Sequence, residues 1–170
     1  MTRLADALTL TRLLVLAPVF VVLLPAGGWT PVVVFFLAAG SDFVDGPLSR
    51  RRGSATRYGG VLDSLADVVF VVSATVQGAL LGRCPWLVPA SIAASVTGYL
   101  VHSVRLSTAA KTPELARSTI GHWAGVANYV LVGLSTGPGA LPSPLWLPVL
   151  VVASAVVILV NGAAVVARLR

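Results

Sequence analysis

Cysteine is almost absent from this chain of 170 residues: Cys84 stands alone, which excludes a disulfide framework and a cysteine-built metal cluster and leaves packing as its expected role. Charge is scarce as well. Charged residues make up 11% against 56% hydrophobic ones and mean hydropathy is +0.91, a balance that excludes an ordinary soluble domain. No low-complexity segment interrupts the chain. The apolar runs are continuous and lack period-two alternation, which argues against a transmembrane β-barrel.

What remains is the pattern of an all-α polytopic membrane protein. A hydrocarbon core of about 30 Å asks for roughly 20 apolar residues per helix, so a chain of this length has room for about six spans with short loops. The runs place them near 7–27, 29–46, 58–82, 85–105, 119–137 and 144–167, behind a short N-terminal interfacial segment, and residues 1–170 form one six-span domain. Arg3 and Arg12 before an apolar run also fit a signal peptide, but five further spans make a first membrane helix the better reading. GPGALPSP, residues 137–144, reads as an outer turn.

Basic residues orient the bundle. Arg3, Arg12, Arg50, Arg51, Arg52, Arg57, Arg105, Lys111, Arg117, Arg168 and Arg170 fall on one side, and Arg83 alone on the other. The positive-inside rule then gives a multi-pass protein of the plasma (inner) membrane with both termini and residues 41–67 cytoplasmic. The net charge of +6 is accounted for by topology and anionic lipid headgroups and needs no nucleic-acid partner. Trp29, Trp86 and Trp146 sit at outer ends and Trp123 at an inner end, as interfacial aromatics do.

Against this apolar background, residues 41–67 concentrate four of the six acidic side chains. Asp42 and Asp45 are three residues apart and Asp63 and Asp67 four apart, so each pair lies on one face of its helix. Gly46 and Pro47 are expected to end the second span, and Gly59 and Gly60 to open the third, so that the two helices make a hairpin with carboxylates at the membrane boundary. Such a cluster is costly without cations. An ion-pair network with Arg50, Arg51, Arg52 and Arg57 would balance charge but does not explain the spacing. Oxygen-only ligands without His or Cys suit Mg²⁺, or Mn²⁺ as a substitute, and four carboxylates suffice for a two-metal clamp acting at phosphorus.

The same residues resemble the signature of the CDP-alcohol phosphotransferase (CDP-alcohol phosphatidyltransferase) family, D-x-x-D-G-x-x-A-R-x8-G-x3-D-x3-D. Here it reads Asp42, Asp45, Gly46, Ser49, Arg50, Gly59, Asp63 and Asp67, every interval matching and Ser49 standing where the pattern has Ala. The resemblance implies a six-helix membrane enzyme of phospholipid biosynthesis that moves a phosphatidyl group from CDP-diacylglycerol to a small alcohol and releases CMP. It implies that Asp42, Asp45 and Asp63 are metal ligands and Asp67 the general base, with a second role as ligand. It also implies that Gly46, Ser49, Arg50, Thr56 and Gly59 meet the CDP part of the donor. Asp6, Leu8, Thr9 and Arg12 resemble the family's Asn-x-Leu-Thr-x-x-Arg segment for the donor phosphates, with Asp6 replacing Asn.

The acceptor is less legible. His102 and Arg105 at the inner end of the fourth span are the candidates, with Lys111, Arg117, His122 and Asn128 beyond them. The Asp63-Ser64 pair is slightly closer to phosphatidylserine synthases than to the Asp-Pro start of glycerophosphate-using relatives. Glycerol 3-phosphate, inositol phosphate, serine and other alcohols all stay open, as does a homodimer. A transporter would want acids near the midplane in an opposed half, and spans four to six contain no Asp or Glu. A non-catalytic scaffold has only Ser49 and Asp6 in its favour.

Overall fold

The computed structural model describes residues 10–51, 57–110, 119–141 and 143–169, with side chains described for all of these except Arg12, 41–51, 57–63, 103–110 and Leu169. Asp6, Thr56, Lys111 and Arg117 lie outside the described residues. Among those described there are helices and turns and no strand. A π-helical stretch, Arg12–Leu16, leads into α1 (Ala17–Leu23); then come α2 (Thr30–Arg51), α3 (Arg57–Leu80), α4 (Leu87–Ala110), α5 (Thr119–Leu134), the single turn α6 (Gly137–Ala140) and α7 (Trp146–Leu169).

Helices are what this sequence must make if its apolar runs are to leave no backbone group unpaired. Pro31, Pro89 and Pro148 all fall in the first turn of a helix, where a missing N–H costs nothing. Pro18 lies just inside α1 and cannot donate to the carbonyl four residues earlier, and the wider π-helical turn sits over that gap.

One expectation fails. Gly46 and Pro47 do not end the second helix, which continues to Arg51. Proline removes one ladder bond, and the turns on either side carry the helix past it, so the whole run from Asp42 to Arg50 is helical.

The bundle closes around α3 and α7. Helix α7 packs along both α4 and α5, while α3 touches α1, α4 and α5, and α2 lies against α1 and α5. Phe20 of α1 and Phe70 of α3 meet with ring centroids 5.3 Å apart, and Ile92, Leu131, Val132 and Val157 fill the remaining core. The outward face of α7 is apolar too: Leu147, Val151, Val152, Leu159 and Val166 are all exposed. Residues Trp146–Arg168 are long and apolar enough to cross a membrane, and the other apolar helical stretches among the described residues, such as Ser64–Leu80 and Leu87–His102, are shorter.

At one end the bundle is tightly tied. Arg83 donates to the carbonyls of Ser135 (2.6 Å) and Leu24 (3.4 Å), just past the C-terminal ends of α5 and α1. It thereby supplies donors and positive charge to two helix ends that otherwise leave carbonyls unpaired. Burial lowers its pKa from the ordinary arginine value, and burial pushes the neighbouring Cys84 thiol up to about 11, so the sulfur stays protonated and inert at neutral pH.

A backbone contact completes this end. Gly27, at φ +71°, lies under Gly139, and the Gly28 N–H donates to the Gly139 carbonyl at 2.8 Å. A Cβ on Gly139 would stand 2.7 Å from the Gly27 Cα, with no flexible side chain to yield. Gly139→Ala is therefore expected to destabilise the protein by about 1–3 kcal/mol, read as a lower thermal midpoint in detergent. Gly162→Ala, whose Cβ would meet nothing within 4 Å, serves as the control and should be neutral or slightly stabilising. Equal midpoints for the two variants would contradict the close contact.

Candidate active site

Toward the opposite end, the described residues line a cavity. The early turns of α3 and α5, the middle of α4 and the last turns of α7 surround its volume of about 500 Å³. Its polar wall includes Asp67, His122, Asn128, Tyr129, Asn161 and Arg168, and its apolar wall includes Val71, Ile92 and Val96.

Of the four clustered aspartates, Asp67 has a described side chain. It is half-buried, and its Oδ1 accepts a 2.7 Å hydrogen bond from the Tyr129 hydroxyl, which ties α3 to α5. The Tyr129 ring stacks on Phe70, with centroids 6.0 Å apart and planes inclined by 23°. A phenol so held is a fixed donor, and a donor to a carboxylate makes a stronger bond than a neutral pair.

Arg168 lines the same cavity. Its Nη1 donates to the Ser95 carbonyl at 2.7 Å and to Ser95 Oγ at 3.2 Å, and its guanidinium carbon lies 5.5 Å from the centre of the Tyr99 ring. Only one nitrogen is used in these bonds, and a guanidinium presents five N–H donors. Asn161 Nδ2 donates to Asn128 Oδ1 at 2.8 Å and to the Val157 carbonyl at 2.9 Å, so a buried amide pair joins α7 to α5 beside the cavity. Interhelical bonds of this kind are what an apolar bundle has in place of a hydrophobic driving force.

The other expected site residues are placed by backbone alone. Asp42, Asp45, Gly46, Ser49 and Arg50 follow one another along α2, and Gly59 and Asp63 precede Asp67 on α3. Helical geometry puts Asp42 and Asp45 on one face of α2, and Asp63 and Asp67 on one face of α3. Arg12 begins the π-helical stretch. Arg105 lies on α4, and its side chain is outside the description; His102, half-buried on the same helix, is not part of the cavity wall. His122 and Asn128 are.

Sequence reasoning overlooked Tyr129, Tyr99 and Asn161, and took Arg168 for a topology marker. A signal existed for two elements: Ser95 and Tyr99 are four apart on α4, and Asn161 and Arg168 seven apart on α7, so each pair makes a polar stripe on an otherwise apolar helix. Tyr129 carried no such mark.

Comparison with known proteins gives a consistent picture. Residues 2–161 match the family model described as CDP-alcohol phosphatidyltransferase. A protein of Mycobacterium tuberculosis named probable phosphatidylglycerophosphate synthase is 32% identical over 98% of this chain and 81% of its own length. The CDP-diacylglycerol–glycerol-3-phosphate 3-phosphatidyltransferases of Cereibacter sphaeroides and Haemophilus influenzae are 31% and 27% identical, over 76% and 74% of this chain and 61% and 71% of theirs.

Proposed function

The chain belongs to the CDP-alcohol phosphatidyltransferase family, enzymes of phospholipid biosynthesis, and on that premise we propose that it transfers a phosphatidyl group from CDP-diacylglycerol to glycerol 3-phosphate and releases CMP. The relatives' names favour glycerol 3-phosphate over the serine acceptor hinted at by Asp63-Ser64. The observation that carries the reading is that Asp67, the last residue of the motif, and Arg168 face one cavity. A base and an anion receptor are what a phosphorylated alcohol needs.

In this reading Asp67 takes the proton of the acceptor hydroxyl as its oxygen bonds to the lipid-side phosphorus. The bond from that phosphorus to the CMP oxygen breaks, and CMP leaves with the oxygen. Arg168 holds the acceptor phosphate through its remaining N–H donors. Arg50 and Arg12 contact the donor diphosphate, with Asp6 alongside, and Gly46, Ser49, Thr56 and Gly59 border the nucleotide. Family members generally use a divalent metal, and the donor set offered here is entirely carboxylate oxygen, which fits Mg²⁺. Asp42, Asp45, Asp63 and Asp67 would hold it, and when bound it supplies positive charge at the diphosphate.

The reading is that of a membrane-embedded enzyme. Six spans, one domain over 1–170 and a cytoplasmic active site are supported by the one-sided distribution of basic residues along the sequence and by Arg83, whose guanidinium is occupied in capping two helices. Diacyl tails would stay between helices and nucleotide would return to the cytosol.

Three measurements test these statements. Purified protein given CDP-diacylglycerol, Mg²⁺ and a panel of alcohols should form phosphatidylglycerol phosphate, with Arg168→Met raising the KM for glycerol 3-phosphate about tenfold or more and leaving that for the donor unchanged. Phosphatidylserine as the product would overturn the acceptor.

Aspartate roles separate by metal titration. Asp42→Asn, Asp45→Asn and Asp63→Asn should weaken Mg²⁺ dependence in a way that excess metal partly repairs, whereas Asp67→Asn should lose about 10²–10⁴-fold in kcat that Mg²⁺ does not restore. Rescue of Asp67→Asn by metal would make it primarily a ligand.

Topology is read with single-cysteine probes, for which Cys84 is silent because it is buried. A probe at Ser54 should label only from the cytoplasmic side and one at exposed Ser143 only from outside. The reverse pattern would place the site in the wrong compartment.

A further inference from the structure

We propose that Tyr129 is a positioning residue: its hydroxyl fixes the rotation of the Asp67 carboxylate, so that the carboxylate meets the acceptor hydroxyl in one orientation. The proposal rests on the reading of Asp67 as the base. Torsion about the Cβ–Cγ bond of an aspartate is broad and nearly free, so a carboxylate at a cavity wall has no preferred plane of its own. Here one oxygen is bonded at 2.7 Å to a donor 62 residues away in sequence, on a different helix. That donor cannot swing. The Tyr129 ring lies against Phe70, which is fully buried, and Phe70 in turn packs on Phe20, also fully buried, with ring centroids 5.3 Å apart.

Three aromatic rings from α5, α3 and α1 thus brace one hydroxyl against the carboxylate. The brace starts in the dry core and ends at the cavity. Proton abstraction depends on holding the base within hydrogen-bond reach and in line, and a misplacement of about 1 Å can cost on the order of 10²-fold. The tyrosine is therefore expected to appear in turnover and not in substrate affinity, because its hydroxyl proton is engaged by the base.

Tyr129→Phe keeps the ring and its stack and removes only the hydroxyl. It is compared with wild type in the phosphatidyl transfer assay with saturating Mg²⁺, with separate titrations of CDP-diacylglycerol and glycerol 3-phosphate, and with the thermal midpoint measured on the same preparations. We expect kcat to fall about tenfold or more, with both KM values within about twofold of wild type and the midpoint, lowered by loss of the interhelical bond, still well above the assay temperature. An unchanged kcat would overturn the proposal. So would a loss confined to the KM for glycerol 3-phosphate, which would make the hydroxyl a direct acceptor contact, or a loss matched by the fraction of enzyme unfolded at the assay temperature, which would make it structural. A wild-type enzyme that forms no phosphatidyl product would instead sink the proposed function, which keeps the two failures apart.

Discussion

An ionised carboxylate in a bundle of apolar helices is tolerated only beside water, a cation or a donor, and the arrangement of this protein follows from that constraint. Asp67 sits where α3 emerges into a cavity, with the Tyr129 hydroxyl on one oxygen. Polar side chains on three further helices share that cavity wall: Arg168 is held by Ser95 and lies over Tyr99, and Asn161 is paired with Asn128. Where those residues give way to Val71 and Ile92, the walls become apolar and the core begins.

The other end shows the opposite solution. Arg83 caps two helices with its guanidinium, Cys84 is buried, and Gly27 meets Gly139 backbone to backbone. Among the described residues, the bundle is tied at this end and holds its cavity toward the other.

How much of this could be read beforehand depends on the physics behind each feature. Helix positions were legible because apolar length is a local property: the expected second and fourth spans, 29–46 and 85–105, correspond to Thr30–Arg51 and Leu87–Ala110. Their ends were less so. Pro47 reads as a stop, but one missing backbone bond does not end a helix that has turns on both sides. The placement of the four aspartates on two helices was legible because their spacing is written within each. Tyr129 was not, since its partner is 62 residues distant and a tyrosine in an apolar run looks like any interfacial aromatic. Arg168 was masked by its own position, because a basic residue at the end of a last span is also what topology demands.

The proposed activity requires that the cavity beside Asp67 receive the acceptor. Gly125 lines that cavity and a Cβ there would meet nothing within 4 Å, so Gly125→Cys should fold and present a thiol to the space. Its rate of modification by a small methanethiosulfonate reagent, measured with and without glycerol 3-phosphate, is the direct test. The account predicts slower modification when glycerol 3-phosphate is present and loss of phosphatidyl transfer once the thiol is modified. A modification rate indifferent to glycerol 3-phosphate, with full turnover in the modified enzyme, would contradict it.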